Sequence, residues 1–580
     1  MKTYCNPINL NYWLQAPTSG GTRNNPENAN WWFREAADPS VAIFDGEYYL
    51  FSSITKGYWT SKDLATWDFI ALANWEQLPN LKSYAPTVVV LDGVMYLAPG
   101  NSPLAGVFKT AMPKDPSSWV EVPGTGAKAT GRHYADAQYF YDEEFDKLYY
   151  VYGCYFDGFL YLQELNKATM LPDGYYHKMH MPDFSNRGWE RPGGPRGNNN
   201  GAESAGWVEG GQMFKHNGLY YWIYSGPDLG NAYYNAVYTA TNIKGPWTFQ
   251  PSNPVTQKLT GFAPGSGHGE MFKDLHGNWW SATCQDVWAL DRFERRISLF
   301  PTFIDETGQL MSQTWLGDYP IEVPQCKRAD NASLWTGWNL LSYRKPVIAS
   351  SQLDGFGIDQ TCNEDIRTWW SAATGDSGEW LQIDLGQVCQ IRAVQINFAE
   401  QDIQEPDDPS PCFQYQLLGS PDGAVWEVMV DKNESRENLP HAYLQLPEPV
   451  TARHLRLINR RMPFGGKFAV RDLRVFGHGT GAAPEPPSFS AERNPLDGRE
   501  ATVIWASVPE ADGYVLRYGI KQDELYHSQQ IYGECKHRIC SLTVDQGYYL
   551  TVDAFNANGY SFGTDVQRIE PGVNPRIIRK

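Results

Sequence analysis

At 580 residues the chain is too long for one hydrophobic core and divides into about three domains. A formal charge of −18 at pH 7 with no Lys/Arg-rich block excludes a phosphate-backbone partner, so no nucleic acid is expected, and no apolar run approaches a membrane span, so no membrane is expected either. The 22 Trp, 34 Tyr and 26 Phe, punctuated by 53 Gly and 39 Pro, favour short strands and many turns: an all-β protein whose aromatic faces suit stacking on sugar rings.

The opening Met1-Lys2-Thr3-Tyr4-Cys5-Asn6-Pro7 lacks the apolar core of a secretion signal, which reads as cytoplasmic, or secreted with a signal already removed. Nine cysteines from Cys5 to Cys540 show no C-x-x-C pair and no zinc-ligand spacing with histidine. They read as mostly reduced, buried thiols, and the odd count leans towards a reducing compartment.

A repeat organises the first half. Asp45-Gly46-Glu47-Tyr48-Tyr49 reads as a turn into an aromatic strand. The pattern returns in Asp92-Gly93-Val94-Met95-Tyr96, Asp146-Lys147-Leu148-Tyr149-Tyr150, Asn217-Gly218-Leu219-Tyr220-Tyr221 and His276-Gly277-Asn278-Trp279-Trp280. Five copies at spacings of roughly 50 to 70 residues predict a five-bladed β-propeller, each aromatic strand preceded by a partner such as Pro39–Phe44 or Pro86–Leu91. The innermost strands of a propeller converge on one axis, so the residues that open them meet in a central depression.

Three carboxylates open blades at comparable places: Asp38 in Ala36-Ala37-Asp38-Pro39-Ser40, Asp136 in Tyr134-Ala135-Asp136-Ala137-Gln138, and Glu209 in Gly206-Trp207-Val208-Glu209-Gly210-Gly211. In a chain with 66 acidic residues, each alone reads as a turn or cap. Their shared position in three blades is what marks them. Glu203 competes with Glu209, but only Glu209 is followed by Gly-Gly and an aromatic strand.

From about residue 30 to 320 the chain resembles glycoside hydrolase family 43, whose blades carry in order Asp-Pro-Ser, Ala-Pro, Asp, Glu-Gly and Gly-His-Gly. Here these are Asp38-Pro39-Ser40, Ala85-Pro86, Asp136, Glu209-Gly210 and Gly267-His268-Gly269. The resemblance implies an inverting glycosidase with Asp38 as general base, Glu209 as general acid and Asp136 as the residue that tunes and orients the acid. Inversion implies Asp38 and Glu209 carboxyl groups about 6.5 to 9.5 Å apart, leaving room for water. His268 matches the family's axial histidine, a candidate water-mediated holder of calcium; no cofactor is required, and a turn histidine bonded to carbonyls is the alternative. Arg295 matches the arginine that contacts the site, with Arg296 as rival. Trp32, Tyr84 and Trp207 are candidate pocket-wall residues that bind substrate. Glu270, where the family has a small residue, is assigned to the substrate or the rim, and the loop from Asn186 to Asn200 to the rim.

After Pro324 the pattern changes. Residues 326–480 resemble a discoidin-type, coagulation factor C-like sandwich, similar to family 32 carbohydrate-binding modules, through Thr368-Trp369-Trp370-Ser371, Glu379-Trp380-Leu381-Gln382-Ile383-Asp384 and Arg471-Asp472-Leu473-Arg474-Val475. A buttress against the propeller and a sugar-binding module are both open readings. Ala482–Pro487 reads as a linker, and residues 481–580 resemble a fibronectin type III sandwich with a spacing or packing role.

The resemblance implies action on terminal or side-chain sugars of an oligosaccharide or polysaccharide. An α-L-arabinofuranosidase is the first reading, with β-galactofuranosidase or β-xylosidase as alternatives. A non-catalytic carbohydrate-binding protein is the alternative of another class, and retention of all three acids counts against it. The sequence does not set the oligomeric state.

Overall fold

The computed structural model describes residues 1–16, 32–72, 84–100, 106–125, 134–154, 157–191, 207–228, 232–328 and 334–573. The Asp-Gly and Asn-Gly pairs do what their chemistry dictates. Asp45 and Gly46 have φ of 48° and 74°, Asp92 and Gly93 50° and 76°, and Asn217 and Gly218 48° and 77°, the doubly left-handed turn that matches the twist of a two-residue hairpin. Those three hairpins and their counterparts in the other two blades, each extended by two further strands, give five four-stranded antiparallel sheets in which every strand pairs with the next in sequence.

The innermost strands are Ser40–Phe44, Thr87–Leu91, Gln138–Asp142, Glu209–His216 and Gly267–Lys273. Each touches the next, and the fifth returns to the first, closing a five-bladed β-propeller. These strands have no ladder partner on their axial edge, so side chains satisfy their amides. Ser40 Oγ accepts from Val88 N at 3.1 Å, Thr87 Oγ1 from Tyr139 N at 2.9 Å, and Gln212 exchanges two bonds with Met271 at 2.8 and 2.9 Å. The last junction is made by Glu270, whose Oε2 accepts from Val41 N at 3.0 Å. Glu270 therefore staples blade five to blade one, a role the sequence did not suggest. Between blades, apolar side chains such as Leu50, Leu162 and Ile223 are wholly buried, each contributing about 1.5–3 kcal/mol.

The first sandwich, Asn339–His478, is an eight-stranded system. Along Trp380–Phe398 the residues Leu381, Ile383 and Leu385 turn inward while Trp380, Gln382 and Asp384 turn outward, the period-two alternation of a half-buried strand. The second sandwich packs a three-stranded and a five-stranded sheet around Val503, Leu516 and Leu550. The fold is all-β, a propeller followed by two sandwiches.

Neither sandwich is held off by a flexible spacer. Thr3–Tyr4 pairs with Ile321–Glu322, and Cys5, Leu316, Tyr319, Phe476, Val515 and Phe555 share one apolar cluster drawn from all three units. Gln257 donates to Tyr518 OH at 2.6 Å and Ser541 Oγ at 3.0 Å. The Ala482–Pro487 stretch thus joins bodies packed on one another. The described part of the expected rim loop lies against the second sandwich, where Arg191 meets Asp497 at 3.2 Å and Glu500 at 2.9 Å. Residues 192–200 and Glu203 lie outside the described residues. All nine cysteines are free thiols, and among the described residues no helix is long and apolar enough to cross a membrane.

Candidate active site

One backbone feature recurs at the mouth of every blade. Asp38, Ala85, Asp136, Gly210 and His268 have φ of 52°, 52°, 48°, 59° and 38°. A left-handed non-glycine residue costs roughly 1–2 kcal/mol, and aspartate, asparagine and histidine bear it better than most. The kink turns the chain at the axial end of each inner strand, and three of these five residues carry ionisable side chains. In blade four the kink falls on Gly210. A Cβ there would lie 2.9 Å from the His268 ring, so only glycine fits beside the histidine, and Glu209 is carried on the strand just before it. A bulge between Glu209 and Gln212 re-aims that strand end.

Asp38 is buried and gripped. Arg295 Nη1 donates to its Oδ1 at 2.8 Å and Nη2 to its Oδ2 at 3.2 Å, a bidentate fork. Ser53 Oγ donates to Oδ2 at 2.5 Å, and His268 Nδ1 lies 3.2 Å from Oδ1. Beneath it the Asp38 amide donates to Cys284 Sγ at 2.9 Å. Burial opposes the ionised form, but Arg295, then His268 and Ser53, outweigh it and hold Asp38 below the ordinary aspartate range. Arg295 is shared with Glu35, whose Oε1 accepts from Nη2 at 2.8 Å; burial pushes Glu35 up to about 7 despite the arginine.

Glu209 and Asp136 form the facing pair. Trp207 Nε1 donates to Glu209 Oε2 at 2.6 Å, Cys154 Sγ donates to the same oxygen at 3.1 Å, and the Tyr233 hydroxyl donates to Oε1. Burial pushes Asp136 up to about 7; His268 pulls it down, and Glu209 and Asp38 push it up. The environment thus drives the two aspartates apart: Asp38 is held as a carboxylate by Arg295, while burial raises Asp136 beside Glu209. Tyr233 is itself wedged in place, since a Cβ on Gly267 would lie 2.3 Å from its ring.

Asp136, Glu209 and His268 offer ligand atoms within 4.8 Å of one another. Calcium takes six to eight oxygen ligands. Both Glu209 oxygens already accept hydrogen bonds and His268 Nδ1 faces Asp38, so these three residues alone would not fill a calcium shell and an ion here would be held largely through waters; no step is routed through a metal.

Of the expected site residues, Asp38, Asp136, Glu209, His268, Arg295 and Trp207 come together. Tyr84 is at the edge, with the Arg295 guanidinium 5.9 Å from its ring centre and Phe293 at 5.4 Å. Arg296 faces away, its Nε donating to His441 Nε2 at 2.7 Å. Trp32 is a correction. On the strand Phe33–Glu35 alternate residues face opposite ways; Glu35 turns to Arg295 while Arg34 turns to the first sandwich, and Trp32 follows Arg34. Trp32 borders a separate cavity of about 830 Å³ with Trp13, Lys56, Arg436 and Phe464. Glu35, Ser53, Cys154, Tyr233 and Cys284 were not foreseen. Only Glu35 left a trace, as a carboxylate three residues before Asp38.

The chain is similar in part to known proteins. Residues 34–295 match the model of glycosyl hydrolases family 43, and residues 346–471 that of the F5/8 type C domain. A curated relative, Beta-D-galactofuranosidase xynD of Aspergillus niger, is 24% identical over 288 residues, covering 45% of this chain and 75% of that protein. A solved glycoside hydrolase superposes with TM-score 0.46 at 18% identity, over 76% of this chain and 97% of that one. Bacteroides ovatus Xyloglucan PUL GH43B gives TM-score 0.41 at 15% identity over 98% of each chain. At these TM-scores the propeller rests on the sheet order described above, not on the superpositions. Site and match coincide in the same blades: the stretch that matches glycosyl hydrolases family 43 is the one that carries Asp38, Asp136, Glu209, His268 and Arg295, and the F5/8 type C match follows it.

Proposed function

We propose that the protein is an inverting glycoside hydrolase that removes terminal or side-chain furanose sugars from oligosaccharide or polysaccharide fragments, acting as an α-L-arabinofuranosidase. The observation that carries the reading is the meeting of Asp38, Asp136 and Glu209, from blades one, three and four, around His268 and Arg295. Asp38, kept ionised by Arg295, accepts a proton from the water that attacks the anomeric carbon. Glu209 gives a proton to the departing oxygen. Its Oε2 already accepts from the indole N–H and the thiol, so the acid proton belongs on Oε1, beside a Tyr233 hydroxyl able both to give and to accept. Asp136, pushed up to about 7, stands beside Glu209 as the tuner.

The galactofuranosidase named among the relatives favours β-galactofuranosidase as the second reading, since a furanose of similar outline meets the same acids. Aryl arabinofuranoside, galactofuranoside and xyloside assayed side by side test the sugar: the arabinofuranoside should be cleaved fastest, and a faster galactofuranoside or xyloside would displace it. The second sandwich fits the fibronectin type III expectation as a packing element, given its contacts with the propeller.

A further inference from the structure

A second buried charge cluster lies behind the Asp38 clamp, at the junction with the first sandwich. Glu294, Arg295 and Arg296 stand consecutively where the third strand of blade five begins. Arg295 turns to Asp38, and its two neighbours turn the other way. Glu294 Oε1 accepts from Arg471 Nη2 of the sandwich at 2.7 Å, with both side chains at 0% exposure. Glu294 Oε2 accepts from the amides of Ala289 and Leu290 at 3.0 and 2.7 Å, which fixes the turn leading into Arg295. Arg296 donates to His441 Nε2 at 2.7 Å. Burial, then Arg296, Arg471 and Arg34, push the His441 pKa far down, so the ring is neutral; Nδ1–H donates to Asn397 Oδ1 at 2.8 Å and Nε2 is left to accept.

The strand Phe33–Glu35 repeats the arrangement. Glu35 holds Arg295, while Arg34 pairs with Glu400 and donates to Asn438 Oδ1 at 2.9 Å, both in the sandwich. Arg471 ties the two halves, lying 3.6 Å from Glu400, and Arg296 Nη1 donates to the Arg34 carbonyl. Arg367 adds backbone anchors, donating to Val287 O at 2.8 Å and Asp286 O at 3.2 Å. Three buried cations thus face two buried anions and one neutral imidazole. In such a cluster each partner is held in one arrangement, because a shifted charge is left unpaired away from water.

We propose that the first sandwich is part of the catalytic unit: Arg471, Glu400 and His441 are positioning residues that fix, through Glu294, Arg34 and Arg296, the two strand ends from which Arg295 and Glu35 clamp Asp38. The inference rests on the reading of Asp38 as the base. Asp38 is faced by Arg295 and Glu35, by His268 and Ser53, by Cys284 beneath, and by Asp136 beyond the histidine. Of these, the Arg295–Glu35 pair is carried on the strands tied to the sandwich through Glu294, Arg34 and Arg296, while Cys284 lies on the strand whose end Arg367 anchors through backbone carbonyls.

The test compares Glu400→Gln and Arg471→Met in the full chain with Arg474→Met. Arg474 lies on the same strand as Arg471, is equally buried, and bonds Glu364 and the Asp318 carbonyl instead. The pH profile of kcat/KM on an aryl furanoside is measured for each. Glu400→Gln and Arg471→Met should lower kcat by about tenfold to a hundredfold with KM little changed, and should move the acidic limb to higher pH as Asp38 loses part of its clamp. Arg474→Met should leave that limb in place at a comparable loss of melting temperature. If Arg471→Met does not fold, the isosteric Glu400→Gln carries the same expectation. An unmoved limb in Glu400→Gln, or an equal shift in Arg474→Met, overturns the proposal. Asp38→Asn separates the layers: wild-type turnover there removes the base assignment and this inference with it, whereas an inactive Asp38→Asn beside an unmoved limb removes the inference alone.

Discussion

Arg295 holds Asp38 by both oxygens, at 2.8 and 3.2 Å, and the same guanidinium holds Glu35 at 2.8 Å. One cation thus serves two buried carboxylates whose pKa values move in opposite directions, Asp38 down and Glu35 up to about 7. The arginine's planar fork is what allows this, and a lysine, a point charge, cannot reproduce it.

Arg295→Lys is therefore not conservative. With the fork gone, the Asp38 pKa rises, the base is ionised only at higher pH, and the acidic limb of kcat/KM moves up by about one pH unit. A pH–rate profile checks it.

Asp38→Asn and Glu209→Gln should each lower turnover by about 10²- to 10⁴-fold while leaving the fold intact. Asparagine tolerates the left-handed φ of 52° at position 38, so loss of activity there reports chemistry and not backbone strain. Circular dichroism and melting temperature measured beside turnover separate the two.

Tyr233→Phe removes the hydroxyl on Glu209 Oε1 and keeps the ring that packs on Gly267. The expected result is a fall in kcat of about tenfold or more at an unchanged melting temperature, because Glu209 loses the hydroxyl that orients its Oε1. An unchanged kcat would assign Tyr233 to packing alone.

Gly210→Ala places a methyl 2.9 Å from the His268 ring at a φ of 59°. Strain and overpacking should destabilise the protein by about 1–3 kcal/mol and displace Glu209, lowering activity beyond what the stability loss explains. Denaturant unfolding together with turnover measures both parts.

Glu270 has a folded pKa of about 7, raised from 4.5 chiefly by burial, so the folded state binds the proton more tightly than the unfolded chain. Its contribution to stability falls as pH rises from about 4.5 to 7 and stays low above that. Glu270→Gln keeps an acceptor for the Val41 amide and removes the buried charge. It should be more stable than wild type by about 1–3 kcal/mol at pH 8 and nearly equal at pH 4, read from melts across pH.

What the sequence made legible follows from range. The Asp-Gly and Asn-Gly hairpins are local, and they appear where their chemistry put them, at Asp45, Asp92 and Asn217. The blade count and the common placement of Asp38, Asp136 and Glu209 followed from the five repeats to which those turns belong. Trp32 was misread because its direction depends on the parity of a short strand whose pairing was not visible. Cys284 and Tyr233 were invisible because they reach the carboxylates across 246 and 24 residues respectively, with no motif around them. The left-handed kink shared by five blades is a backbone property that four different residue types bear. The charge cluster behind Arg295 joins positions 34, 294, 400 and 471, separations at which residue types alone carry no signal.

The central claim is that Asp38 activates water on the face opposite the bond whose oxygen Glu209 protonates. Proton NMR of the first sugar released from an aryl α-L-arabinofuranoside, recorded before mutarotation, tests it most directly. The account predicts that the β-anomer appears first; first appearance of the α-anomer would show retention and contradict it.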